Sequence, residues 1–201
     1  MAASLMDRLR FLGRFFLKPT VVGAVAPSSQ FLVDELIKDM GVSEAKCLAE
    51  LGPGTGVATR TILEKKNDAC PLLAVEKDLQ WVKLLRRRYP DLDLVHGDAA
   101  ELHQYAAERQ LPPFDAVICG LPFTVFGEPL QRAILESIQA SLRPGGSFST
   151  FAYVHGKELP AGKRFRSLLE ESFARVETSE VIWRNTPPAV VYRAWAASGD
   201  S

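Results

Sequence analysis

Short apolar runs bounded by glycine, proline or charged residues punctuate this chain from residue 47 onward. Cys47–Ala49, Leu72–Val75, Leu92–Val95, Phe114–Cys119 and Ser147–Val154 each read as a buried strand, too short and too uniformly apolar for an amphipathic helix. Gln30–Met40 reads as a helix, and Val57–Leu63 as the start of another. Near the end, Arg175–Arg184 and Ala189–Ala196 predict a strand hairpin across the Pro187-Pro188 turn, and Ala196–Ser201 a frayed tail.

The first eighteen residues follow a different period. Leu5, Leu9, Leu12 and Phe16 recur on one helical face, which Phe11 and Phe15 widen, while Asp7, Arg10, Arg14 and Lys18 lie opposite. A basic amphipathic helix of this kind suits the interface of an anionic membrane, and equally it suits covering the domain's own core. A membrane span is not predicted. The longest uncharged run, Pro19–Val33, has fifteen residues with two prolines, short of the ~20 apolar residues a span requires. The charged first half and helical spacing also argue against a cleaved signal peptide.

Composition narrows the classes. A chain of 201 residues holds one α/β domain with a full core, without room for a second large one. Its 47% hydrophobic and 24% charged content is that of an ordinary globular protein. Net charge is zero, so no global field draws nucleic acid, and none is expected as a partner. Cys47, Cys70 and Cys119 are odd in number and widely separated, which predicts neither a disulfide framework nor a metal site and fits a reducing cytoplasm.

The chemistry is carried by Glu50-Leu51-Gly52-Pro53-Gly54-Thr55-Gly56, between a predicted strand and a predicted helix. Glycines at alternate positions let the backbone turn sharply and approach a ligand, and the following helix offers free N–H groups. A dinucleotide loop wants G-x-G-x-x-G, but its third position is Val57 here and the extra glycine comes one residue early, at Gly56. No Gly-Lys-Ser/Thr follows, which excludes a phosphate-binding P-loop. The E-x-G-x-G-x-G pattern resembles the first motif of class I S-adenosylmethionine-dependent methyltransferases, in which the acid, Glu50 here, faces the cofactor's methionine amino end. Glu76 ends the next strand twenty residues past Gly56, where a carboxylate suits a bidentate grip on ribose hydroxyls; a solvated strand-end acid is the plainer alternative. Lys77 would lie beside the adenosine. The resemblance extends to Gly97-Asp98-Ala99, where Asp98 would bond the adenine amino group. It also covers Cys119-Gly120-Leu121-Pro122, where the chain would pass beside the sulfonium methyl, and the turn Leu142–Gly146. These segments follow strand ends, where open α/β sheets bind ligands.

A narrower resemblance comes from Arg8-Leu9-Arg10-Phe11, Pro19, Gly23–Ser29, the glycine loop, Gly120-Leu121-Pro122 and Asn185–Tyr192. Together they are similar to bacterial phospholipid N-methyltransferases, which convert phosphatidylethanolamine stepwise to its mono-, di- and trimethylated forms. The likeness implies a Rossmann-like class I methyltransferase fold with a seven-stranded, mostly parallel sheet, flanking helices and an N-terminal amphipathic helix. Residues 1–40 would form membrane-binding and cofactor-lid helices, and residues 41–201 the methyltransferase domain. It implies S-adenosylmethionine as cofactor, S-adenosylhomocysteine as product, and peripheral attachment to an anionic phospholipid surface on the inner face of the cell membrane. Arg8, Arg10, Phe11, Arg14, Phe15, Phe16 and Lys18 would meet that surface. Ser28 and Ser29 would touch the cofactor, although either is also a natural cap for the following helix.

The acceptor side follows from the reaction. A primary ammonium near pKa 10.4 must lose its proton before attack, and an apolar pocket favours the neutral amine. Phe123, Tyr153 and Tyr192 are the aromatic candidates for that pocket, whose faces also tolerate a quaternary product; core packing is the alternative for each. Tyr153 or His155 would relay the proton, directly or through water, and Tyr192 is counted with them as a catalytic candidate. Arg184 and Arg193, with Asn185 and the cations Lys163 and Arg164, are candidates for the headgroup. Two other readings remain. An RNA adenine N6-dimethyltransferase shares the acid and glycine loop, but that family begins its fourth motif with Asn where this chain has Gly120, and it tends to be basic with an added C-terminal domain. A non-catalytic lipid- or protein-binding module on the same fold is the third.

Overall fold

The structure, a computed structural model, describes residues 29–199. The expected helix over residues 1–18, its membrane-facing set from Arg8 to Lys18, and Ser28 lie outside the described residues. The order is α1 (Gln30–Ile37), β1 (Leu48–Leu51), α2 (Val57–Lys65), β2 (Leu72–Glu76), α3 (Leu79–Arg88), β3 (Asp93–His96), α4 (Leu102–Glu108), β4 (Phe114–Cys119), α5 (Glu128–Ser141), β5 (Leu142–Tyr153), α6 (Val154–Lys157), α7 (Pro160–Ser172), β6 (Arg175–Thr178) and β7 (Ala189–Trp195).

The seven strands form one sheet in the order β3-β2-β1-β4-β5-β7-β6. β1 to β5 run parallel, and β7 is antiparallel to both β5 and β6. This is the seven-stranded, mostly parallel sheet the sequence predicts. β1 and β2 are buried throughout, as strands covered on both faces must be, which is why they read as unbroken apolar runs. β6 lies on the edge, and its Arg175, Glu177 and Thr178 are exposed, a charged rim that discourages pairing with another chain. One face packs Leu102, Ile134, Ile138, Phe165 and Leu169 of α4, α5 and α7 against the sheet. The other packs Leu32, Leu36 and Ile37 of α1 with Ile62 of α2 against β1, β4, β5 and β7, while Val82 and Leu85 of α3 cover β2 and β3. α1 is therefore part of the core, although the expected boundary at residue 40 sets it apart.

Several boundaries differ from expectation, β3 and β7 by one residue and four elements more tellingly. β1 starts one residue later and continues through Glu50 and Leu51, because Leu51 still pairs with Val75 and Cys119. α1 stops at Ile37, since Lys38 turns to extended backbone and Asp39 and Gly41 take positive φ. β5 begins at Leu142 opposite Phe114, but the next pair is Ala116 with Ser147, so Arg143–Gly146 bulges out. β6 ends at Thr178, where the Ser179 hydroxyl accepts from Val191 N, and the connection rejoins β7 only through Ile182 and Ala189.

Candidate functional site

The carboxyl ends of β1 to β5 share one edge, joined there by the start of β7 and by the β6–β7 connection. The glycine loop leaves β1 at this edge. Gly54 has φ +55°, and a Cβ there would point into open space, so the backbone bares a face to any ligand. Gly56 caps α2. Gly52 and Gly120 lock the loop onto the end of β4: a Cβ on Gly120 would fall 2.7 Å from the Gly52 carbonyl oxygen, and one on Gly52 would fall 2.6 Å from Leu121 Cδ2. Leu121 thus forms the floor beneath the loop.

Glu50 is 1% exposed, and neither of its carboxylate oxygens has a hydrogen-bond partner among the described residues. Burial pushes its carboxyl up to about 7, helped by the charge of Glu76 and opposed by Thr59. The hydroxyls of Thr59 and Ser149 are buried and unpartnered as well, and Ser149 shares a cross-sheet row with Ile118 and Glu50. Buried polar atoms without partners are rare in folded proteins and call for an unseen partner. A positively charged donor group meets that need, since Glu50 supplies two open acceptor oxygens with Thr59 beside it.

Glu76 is held more completely. One oxygen accepts from Gly54 N at 3.0 Å and the other from Asp78 N at 2.9 Å. Burial raises its carboxyl against the lowering effect of those two N–H groups. Each oxygen keeps a free lone pair, so the carboxylate is oriented without being saturated. Next along the edge, Asp98 accepts from Ala100 N at 3.1 Å and from Lys77 Nζ at 2.5 Å. Burial pushes its carboxyl up, but Lys77 and the Ala100 N–H outweigh that and hold it below the usual range. The Tyr105 hydroxyl fills the space beside Gly97 and receives the Asp98 N–H. Ala99 is buried in the core and contributes only backbone.

The acceptor side departs from expectation. Phe123 is fully buried, stacked on Phe165 at 4.2 Å, and lines no opening. Tyr192 is 3% exposed and meets Phe165 edge-on. It pairs with Thr150 on one sheet face, whereas Tyr153 packs with Phe151 on the other, so the two tyrosines cannot share a pocket. Burial raises both phenols above their ordinary 10, which rules out either as a phenolate base near neutral pH. Cys119 is wholly buried with its thiol pushed up to about 12, leaving only its backbone near the site.

Two expected headgroup ligands are also engaged inside the protein. Arg193, 5% exposed, donates to Lys38 O at 2.9 Å, to Glu35 O at 2.7 Å and to Glu35 Oε1. Asn185 accepts Ser29 N at 3.0 Å and donates to Pro187 O at 2.6 Å. Together they fasten both ends of α1 to the flanks of β7, and Ser29 caps α1 by accepting Leu32 N. Arg164 is tied to Gln131 and Phe126, and Lys163 lies near Glu158. Arg184 remains exposed, its guanidinium 4.8 Å from the Phe31 ring. Tyr153 and the exposed His155 stack in parallel at 5.8 Å where β5 leaves the sheet.

The unpartnered Thr59 and Ser149 are the polar neighbours that sequence reasoning did not single out. Ser149 lies in Ser147–Val154, where Ser147 and Thr150 are hydroxyl residues too, so nothing local marks it out.

A methyltransferase-domain family model matches residues 48–146. The ornithine lipid N-methyltransferase of Singulisphaera acidiphila is 31% identical over 193 residues, covering 92% of this chain and 94% of that enzyme. The chain belongs to the class I S-adenosylmethionine-dependent methyltransferases. The small-subunit ribosomal RNA methyltransferase A of Alkaliphilus oremlandii is 28% identical, but only over 54% of this chain, which spans 39% of that enzyme's length. Among solved structures, the N-methyltransferase NodS of Bradyrhizobium japonicum, in complex with S-adenosylhomocysteine, superposes with a TM-score of 0.66. That overlap covers 94% of this methyltransferase and 98% of NodS at 11% identity, a likeness of fold. No helix among the described residues of the methyltransferase is long and apolar enough to cross a membrane.

Proposed function

We propose that this methyltransferase N-methylates an aminolipid headgroup at the surface of an anionic membrane, on the inner face of the cell membrane, with phosphatidylethanolamine as substrate. The observation that carries the reading is the near full-length likeness to a lipid N-methyltransferase. Ornithine lipid is the second reading, favoured by the activity named for that relative. Both substrates present a primary amine tethered to acyl chains.

S-adenosylmethionine supplies an electrophilic methyl on a sulfonium and leaves as S-adenosylhomocysteine. Glu50, with both oxygens open, receives the cofactor's ammonium, and Thr59 and Ser149 complete that end. Glu76, oriented by Gly54 and Asp78, takes the ribose hydroxyls with its free lone pairs. Asp98 meets the adenine amino group, and Lys77 steadies it from the side. The backbone of Gly52 to Gly56 and of Gly120-Leu121 lies along the cofactor. Tyr153 offers an aromatic face to the amine and to its methylated products. His155, exposed beside it, takes the proton the amine sheds at an imidazole nitrogen. Residues 1–18 give the protein a basic amphipathic anchor.

The closed Gly120 position supports a lipid amine over an RNA adenine. An Asn there needs a Cβ where the Gly52 oxygen already stands, so this chain has no side-chain carbonyl to orient an exocyclic amine. The deciding experiment incubates the full chain and labelled S-adenosylmethionine with vesicles containing phosphatidylethanolamine or ornithine lipid, or with RNA. Label in phosphatidylethanolamine bears out the proposal, and label in ornithine lipid alone reassigns the headgroup. Label in RNA alone overturns the lipid reading. Glu76→Ala should weaken S-adenosylhomocysteine binding at least about tenfold by calorimetry, as loss of charge-assisted hydrogen bonds predicts.

A further inference from the structure

Five large apolar side chains stand exposed among the described residues: Phe31, Leu79, Val125, Leu159 and Trp183, the last with 74% of its surface open. Single exposed apolar residues need no explanation when they are scattered. These five are not scattered. Leu79 opens α3 after β2, Val125 sits in the turn after β4, and Leu159 lies between α6 and α7 after β5. Trp183 lies in the β6–β7 connection, and Phe31 is in the first turn of α1, which Asn185 fastens to that connection. Every one of these segments meets the sheet at its carboxyl edge, the edge that carries the glycine loop, Glu76 and Asp98. None of the five lies at the opposite edge, and the two in helices, Phe31 and Leu79, stand in the first turns of α1 and α3.

The most exposed part of this rim is chemically distinctive. Arg184 follows Trp183 directly and its guanidinium lies over the Phe31 ring, so a phenyl ring and a cation meet next to the position of the exposed indole. The patch has a firm base. Asn185 N donates to Ile182 O, Trp183 N donates to Val181 O, and the Asn185 side chain holds Ser29. Aromatic rings with an adjacent cation suit the zone where acyl chains meet phosphates, the rings entering the apolar side and the cation staying with the anions.

We infer that the carboxyl edge of the sheet is a docking face for an anionic phospholipid bilayer, anchored by Trp183, Phe31 and Arg184. The inference rests on the aminolipid reading: a lipid amine reaches the site with its chains still in the bilayer only if this edge lies against the membrane. Leu79, Val125 and Leu159 sit around the rest of the mouth and meet the same surface. The orientation follows from the sheet itself, since among the described residues its opposite edge carries no exposed large apolar side chain. This contact is separate from any made by residues 1–18, and stable anchoring generally takes two such signals.

The test uses the full chain with vesicles of phosphatidylglycerol and phosphatidylcholine in equal parts, in the wild type, Trp183→Ala, Trp183→Phe and Arg184→Glu. Brominated acyl chains should quench the fluorescence of the wild type and leave Trp183→Phe unquenched, although Trp81 and Trp195 remain. Trp183→Ala and Arg184→Glu should each lower vesicle partitioning at least about fivefold, the scale of one basic residue's attraction to an anionic surface. Unchanged S-adenosylhomocysteine affinity in both variants reports an intact fold. Partitioning within about twofold of wild type overturns the inference. So does a wild-type dimer that Trp183→Ala dissociates, because a second copy would then be what covers the patch. Quenching and partitioning as expected, with no methyl transfer to any lipid, leave the docking face standing and overturn the proposed substrate.

Discussion

The two ends of the site-bearing edge use the same kinds of polar side chain in opposite ways. Along β1 to β3, polar groups are oriented and left open. Glu50 keeps two oxygens without partners, and Glu76 is aimed by two N–H groups with lone pairs to spare. From β5 to β7 they are mostly consumed inside the protein, the Ser149 and Thr150 hydroxyls excepted. Arg193 is used up on Glu35 and Lys38, Asn185 on Ser29 and Pro187, and Tyr192 packs against the ring of Phe165. The first end is built to receive something from outside, and the second to hold α1 against the sheet. Unmet hydrogen-bonding capacity, more than the presence of charge, separates them.

Breaking the internal end should have the largest effect, and on stability alone. Arg193→Ala leaves Glu35 and two carbonyls without their donor and should cost about 3–5 kcal/mol, lowering the melting temperature by roughly 10 °C. The folded variant should keep its affinity for S-adenosylhomocysteine in calorimetry. A variant that melts like wild type but has lost cofactor or substrate binding would move Arg193 into the site and erase the contrast.

Breaking the open end should do the reverse. The Glu50 carboxyl stands at about 7 in the fold against an ordinary 4.5, so the fold disfavours its ionised form. Its burden on the free protein is absent below pH about 4.5, grows as pH rises to about 7, and persists above that. Glu50→Gln should therefore stabilise the cofactor-free protein at pH 8 by up to about 3 kcal/mol, with no gain below pH 4.5, while weakening cofactor binding. Unfolding followed across that range, with and without S-adenosylhomocysteine, checks both halves. A wild-type stability that is flat between pH 4.5 and 7 would contradict it.

Lys77→Met is the smallest perturbation. The Lys77–Asp98 pair is open to solvent, so its loss should cost less than about 1 kcal/mol and change cofactor affinity by less than about fivefold. A larger drop in affinity, with stability unchanged, would show that Lys77 touches the cofactor itself and sharpen the map of this end.

The same contrast governs what could be read from the sequence. Glu50, Gly52, Gly54 and Glu76 fall within one strand–loop–helix–strand passage, where strand ends and glycine spacing fix which side chains converge, so their meeting was legible. The partners that tie Arg193 and Asn185 to α1 and its cap, Glu35, Lys38 and Ser29, are more than 150 residues away, and no local pattern announces them. Tyr153 and Tyr192 were separated by something finer, the sheet register, which puts neighbouring strand-end aromatics on opposite faces. The bulge at Arg143–Gly146 shifts the separate register of β5 on β4, and strand assignment alone does not reveal it either. Ser149 carried no local mark, because Ser147 and Thr150 beside it are buried hydroxyl residues as well.

The contact between Gly120 and the Gly52 carbonyl bears on how this enzyme can diverge. A side chain at position 120 is the simplest way to give a methyltransferase a new polar grip on its acceptor. Here it would push Gly52, and with it the Gly54 N–H that aims Glu76. A side chain at position 120 therefore has to shift the Gly52 carbonyl, which couples acceptor preference to the geometry of the glycine loop at one point. Descendants of this sequence have their open routes elsewhere, in the connections after β5 and β6, where the rim can vary without disturbing the glycine loop.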